Sequence, residues 1–140
     1  MENWVLWAIL SMIFAGFTSV IAKLGLVGIS GDLGLAIRTV FVFVFVLIFA
    51  AAVVPRGELA ALTPRNYLFL GLSGVTTSLS WIFYYRAIKA GNVATVALID
   101  KGSVVVAMVL AWLILREQIS PKMIGGASLI VAGIFVIARG

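Results

Sequence analysis

The sequence predicts an all-α integral membrane protein, a bundle of five transmembrane helices forming one domain over residues 1–140. Three observations carry this. Hydrophobic residues make up 64% of the chain and charged residues 11%, where soluble domains carry roughly a quarter charged. At 1.5 Å per residue, a hydrocarbon core of about 30 Å takes some 20 apolar residues, so 140 residues accommodate about five crossings with short connections. Breakers and isolated charges cut the chain into five such stretches, at residues 3–23, 33–54, 65–90, 93–115 and 121–138.

The first stretch is the uncharged run between Glu2 and Lys23. It opens with an acid instead of the basic n-region of a secretory signal and is too long for one, so it is expected to be a retained span. Ser11, Ala15 and Thr18 share one face of it. Glycines in LGLVGISGD then break the helix, and Asp32 is placed to cap the second span. That span contains VFVFVFVLIF, whose alternation read locally suits a strand. Its length and neighbours decide for helix, because an isolated strand in lipid leaves its backbone unpaired. Arg38, about a turn and a half inside, has two readings: snorkelling to the interface, or pairing with Asp100.

Pro55 ends the second span, and Thr63 followed by Pro64 supplies an N-cap and a first-turn proline for the third. Within it Ser73, Thr77, Ser80 and Tyr84 recur at steps of four, three and four, which stacks four hydroxyls on one helix face. A polar stripe in lipid turns inward, either as interhelical glue or as a cavity lining. Trp81 and Tyr85 flank it, and Tyr85 beside Arg86 reads as an interfacial belt residue.

Gly91 and Asn92 read as helix stop and helix cap for the fourth span. This span holds Asp100 and Lys101 side by side in an apolar helix. A charge near the centre of a membrane helix costs roughly 2.5–3.5 kcal/mol on insertion scales, so such residues are functional suspects. Adjacent helix positions point about 100° apart, so the two need separate partners. The plain alternative is a structural pair, each charge satisfied by a neighbour such as Arg38 or Tyr84. Arg116 and Glu117 mark the far interface, and Ser120 with Pro121 starts the fifth span. Its small residues Gly125, Gly126, Ser128, Ala132 and Gly133 suit close helix packing or dimerisation.

With no Cys and no His, disulfides, thiolate nucleophiles, imidazole bases and the commonest metal ligands drop out. No motif for phosphate cradling or nucleophile activation is present, so neither an enzyme nor a cofactor is expected. The net charge of +5 does not point to nucleic acid, because the basic residues sit at helix ends among headgroups. Across five spans, Arg56, Arg65, Arg116 and Lys122 fall on the side of the N-terminus, against Lys23, Arg86, Lys89 and Arg139 on the other. The tie gives no orientation preference, and two oppositely inserted copies would form an antiparallel homodimer.

From Trp81 onward the chain closely resembles the EamA domain of the drug/metabolite transporter superfamily. The likeness rests on WIFYYRAIKAGN, then VATVALI, then LREQIS before GGASLIVAGIFVIA. It extends to Lys23 after the first span and to the triplet Ile37 to Thr39, and so covers the whole chain. The pattern departs at Phe14-Ala15-Gly16, where many members have tryptophan, and at Leu98, where proline is usual. Most relatives carry two such domains, ten spans in inverted halves, and move amino acids, nucleotide sugars, phosphorylated sugars or other metabolites.

What the resemblance implies is a multi-pass protein of a bacterial or archaeal plasma membrane. A single-domain member would be one repeat of a dimeric small-molecule transporter working by alternating access. The expected substrate contacts are Asp100, Lys101, Tyr84, Trp81, Ser80, Thr77 and Arg38. Lys101 offers a point charge to an anionic group, and Asp100 takes a cationic group or a coupling proton. The competing expectation is a non-transporting accessory or assembly subunit that heterodimerises with a second five-span chain.

Overall fold

The computed structural model describes residues 3–139; Met1, Glu2 and Gly140 lie outside them, and with them the acid that bounds the first span. Helix α1 is Asn3–Gly25, α2 Gly31–Val53, α3 Pro64–Ala90, α4 Val93–Asp100, α5 Ser103–Leu110 and α6 Pro121–Arg139. A 3-10 helix, Arg56–Ala61, lies in the connection between α2 and α3, and a π-helical turn, Ala111–Leu115, continues α5. No strand occurs among the described residues, so the VFVFVFV run is helix. The architecture is that of an all-α membrane protein.

Four helical stretches are long and apolar enough to cross a bilayer: Asn3–Gly25, Gly31–Val53, Val93–Leu115 and Pro121–Arg139. Helix α3 has the length, at 27 residues, but its serines, threonines, Asn66 and terminal charges dilute its apolar character. Caps set the boundaries where short polar side chains precede them. Asn92 Oδ1 accepts from the Ala94 and Thr95 amides at 2.9 and 3.4 Å. Thr63 and Asn66 bond reciprocally at the start of α3, the Thr63 amide donating to Asn66 Oδ1 at 2.9 Å. Ser120 Oγ accepts from the Met123 amide at 3.3 Å. At α2 the cap is Ser30, whose Oγ accepts from the Leu33 amide at 3.1 Å. Asp32, expected there, instead lies in the first turn and is drawn into an ion pair.

The chain divides into two compact units. One holds the chain up to Val20 and again from Gly91; the other is Ile21–Ala90.

In Ile21–Ala90, α2 and α3 pack antiparallel, as the pairings Gly31 with Tyr85 and Arg38 with Trp81 show. The two backbones come close at Gly31, where an added Cβ would stand 2.8 Å from the Tyr85 carbonyl oxygen. Gly34 likewise leaves the space that the Leu26 side chain fills. Leu26, Tyr85 and Ile88 are the buried large hydrophobic residues among those described, at 2, 4 and 0% exposure. Tyr85 is therefore a core residue here and not a belt residue. Gly28, at φ +78°, turns the chain between α1 and α2.

Two lysines close the helix ends in this unit. Lys23 Nζ donates to the Ile88 carbonyl and, at 3.3 Å, to the Lys89 carbonyl, while Lys89 Nζ donates to the Leu26 carbonyl at 2.8 Å. Each cation thus caps carbonyls that end the other's segment, where the negative end of the helix dipole favours it.

In the other unit, α6 packs against α4 and α5, and its half-buried residues are Ala127, Ile130, Val131, Ile134 and Ile137. Gly125, Gly126 and Gly133 have no neighbour within 4 Å of where a Cβ would stand. Small size at these three positions does not serve packing within residues 91–139.

Candidate functional site

The α2/α3 hairpin builds a cleft of about 450 Å³. Asp32, Leu35, Ala36 and Thr39 line it from α2, and Ser78, Trp81, Ile82 and Arg86 from α3. Helical spacing explains this face: 78, 81, 82 and 85 recur at steps of three, one and three and turn toward α2 together. At one end Asp32 and Arg86 form a two-pronged ion pair, Nε to Oδ1 at 2.8 Å and Nη2 to Oδ2 at 3.2 Å. Thr39 and Ser78 give their protons to their own helix, to the carbonyls of Leu35 at 2.8 Å and Gly74 at 2.9 Å. Their oxygens keep lone pairs for an incoming donor.

Beside this cleft the Arg38 guanidinium lies 4.3 Å from the centre of the Trp81 ring and 5.7 Å from that of Tyr85. Ring faces attract a cation, and desolvation strengthens that attraction. Arg38 Nη1 is buried and has no hydrogen-bond partner.

The second group of candidates lies where the fourth span is interrupted. Helix α4 ends at Asp100 and α5 begins at Ser103. Between them the bonds tighten to three-residue spacing: Lys101 N–H to the Leu98 carbonyl at 3.2 Å, Gly102 N–H to Ile99 at 2.9 Å, and Val104 N–H to Lys101 at 3.1 Å. Lys101 and Gly102 keep right-handed dihedrals, so the span changes winding without reversing. A 3-10 stretch in mid-helix often marks a hinge. Gly102 permits it sterically, since a Cβ there would already meet Ile134 Cδ1 at 3.2 Å. Asp100 is half-buried and Lys101 exposed, and within residues 91–139 neither side chain has an ion-pair or hydrogen-bond partner.

Comparison with known proteins settles the relationship. The model of the EamA-like transporter family matches residues 2–139. The chain belongs to this EamA-like family. It is also 36% identical over 137 residues to an uncharacterized transporter in cobO 3'region from a Sinorhizobium species, covering 98% of this chain and 97% of that one. No solved structure matches it. The EamA-family chain is accordingly a multi-pass membrane transporter, with a small molecule as its cargo.

In this EamA-family chain the expected contacts fall in two groups. Arg38 and Trp81 are brought together in Ile21–Ala90, and Trp81 lines the cleft. Tyr84 is half-buried on α3. Thr77 and Ser80 are exposed, as is Ser73, on a helix face about 120° from the one that meets α2. Asp100 and Lys101 belong to the other unit, at the winding change. Sequence reasoning passed over Asp32, Thr39, Ser78 and Arg86 as cleft residues. The available signal was that Asp32 opens one helix and Arg86 closes the next, which puts opposite charges at the same level of an antiparallel pair.

Proposed function

We propose that this EamA-family chain transports its substrate as an antiparallel homodimer by alternating access, the two copies together serving as the inverted halves that one longer chain carries elsewhere. The observation that carries the reading is the interruption of the fourth span at Asp100 and Lys101. Transporters commonly place substrate and coupling-ion sites on discontinuous helices, where ionic groups within the membrane's depth meet a ligand or water. Asp100 and Lys101 are assigned to the transport path as counter-charges for the substrate or a coupling proton. Arg38, Thr77, Ser80, Trp81 and Tyr84 are assigned to substrate selectivity. The membrane is the plasma membrane of a prokaryotic cell, and residues 1–140 act as one functional repeat.

The test is to purify the protein, screen a metabolite library for thermal stabilisation, and measure uptake of each stabilising compound into proteoliposomes. A ligand of the folded form raises its stability by RT ln(1 + [L]/Kd), so binding is visible before the substrate class is known. A compound that both stabilises and is taken up supports the proposal. If no compound does either, and a second five-span chain co-purifies in equal amount, the chain is an accessory subunit.

A further inference from the structure

We propose that Arg38, held against Trp81 and Tyr85, is an oxyanion receptor. It takes the carboxylate or phosphate of an organic anion whose apolar part lies in the α2/α3 cleft. This rests on the assignment of Arg38 and Trp81 to substrate, and adds the chemical class recognised there.

A guanidinium carries five N–H donors and no acceptor. The Trp81 and Tyr85 faces answer its charge but offer no lone pair to Nη1, which is buried without a partner. Buried polar groups are nearly always hydrogen-bonded, and an unmet charged donor is costlier than a neutral one. The acceptors closest in sequence do not serve it: both Asp32 oxygens bond Arg86, and Thr39 Oγ1, which gives its proton to the Leu35 carbonyl, makes no bond to Nη1. Asp32 and Arg86 in the cleft lining balance each other, which leaves the charge of Arg38, beside the cleft against Trp81, without an anionic partner among these three.

What completes such a group is a pair of anionic oxygens, which guanidinium binds in a planar two-pronged geometry. The Trp81 and Tyr85 rings, 4.3 and 5.7 Å from the guanidinium carbon, confine the group beforehand, so less ordering is left to the moment of binding. The rest of the ligand meets Leu35, Ala36, Ile82 and the Trp81 ring in a cleft of about 450 Å³, within the usual range for small-molecule sites. Asp32 does not repel the anion, because Arg86 already neutralises it.

The experiment titrates the purified full-length protein in dodecyl maltoside with benzoate and phenyl phosphate, using benzamide as the uncharged counterpart of benzoate. Melting temperature and equilibrium binding are both read. Benzoate and phenyl phosphate bind, and benzamide binds at least about tenfold more weakly, a difference of ~1.4 kcal/mol. Arg38→Gln reduces benzoate to the benzamide level. Arg38→Lys, the control should the glutamine variant fail to fold, weakens benzoate several-fold, since an ammonium keeps the charge and loses the fork. Equal binding of benzamide and benzoate, or undiminished benzoate binding in either variant, overturns the proposal.

Phosphatidylglycerol added to the micelles distinguishes the source of the oxyanion. Displacement of benzoate makes a lipid headgroup the natural occupant, and no displacement makes it a soluble anion; both uphold the receptor. Because binding is read without flux, anion binding by a protein that moves nothing overturns the transport reading alone. Uptake without any Arg38-dependent anion binding overturns the receptor alone.

Discussion

Replacing Gly31 with alanine tests the packing that holds Arg38 and the cleft in place. The added Cβ would stand 2.8 Å from the Tyr85 carbonyl oxygen, 3.1 Å from its carbon and 3.3 Å from the Arg86 nitrogen. All three are backbone atoms of α3, so no side-chain rotation relieves the overlap and the helices must separate by several tenths of an ångström. Overpacking of this kind costs about 1–3 kcal/mol. Alanine in a helix returns about 0.5–1 kcal/mol relative to glycine, which leaves a net loss of up to about 2.5 kcal/mol. Gly71→Ala in α3 is the internal control. Nothing lies within 4 Å of its Cβ position, so only the helix-propensity gain of about 0.5–1 kcal/mol remains. Reversible unfolding in mixed dodecyl maltoside and SDS micelles measures both. A lower midpoint for Gly31→Ala and a higher one for Gly71→Ala is expected. Equal midpoints for the two variants would refute the close α2/α3 contact.

Three further outcomes are expected. Asn92→Ala removes both capping bonds at the start of α4 and lowers stability by about 1 kcal/mol in the same assay. Arg116 ends the fourth span at φ 59°, a left-handed conformation that costs L-residues about 1 kcal/mol and glycine little. Arg116→Gly therefore raises the unfolding midpoint, and a drop would show that the arginine side chain matters more than its backbone. Gly57→Cys places the chain's single thiol in the exposed 3-10 connection. In intact cells an impermeant maleimide labels about half of it if copies insert both ways, and all or none of it if they insert one way.

Much of the fold was legible because membrane helices are written in length and punctuation. Asn92, Thr63 with Pro64, and Ser120 with Pro121 mark helix starts through local bonds that depend on three or four residues, and all three hold. Ser30 displaced Asp32 as the cap because Asp32 has a stronger partner in Arg86, 54 positions away, which no local rule detects. Tyr85 read as an interfacial aromatic by its neighbour Arg86. Its burial follows instead from Gly31, whose missing Cβ lets the two backbones close over the ring. The winding change after Asp100 was hidden for a similar reason. It depends on Gly102 lying against Ile134 in α6, whereas the residues on either side, VATVALI and SVVVAM, carry an uninterrupted apolar pattern. Site residues named for their charge or hydroxyl were visible in the sequence, and what gathers them was not. The α3 face that meets α2 is set by packing at residues 78, 81, 82 and 85, about 120° from the more conspicuous hydroxyl stripe.

The most direct test of the account is counterflow. Proteoliposomes holding equal amounts of wild type, Asp100→Asn or Lys101→Met are preloaded with a stabilising compound and given a trace of its labelled form outside. Wild type is expected to accumulate label transiently, while both variants, inserted at wild-type levels, accumulate none. Wild-type accumulation in either variant would show that transport does not depend on both charges at the break in the fourth span.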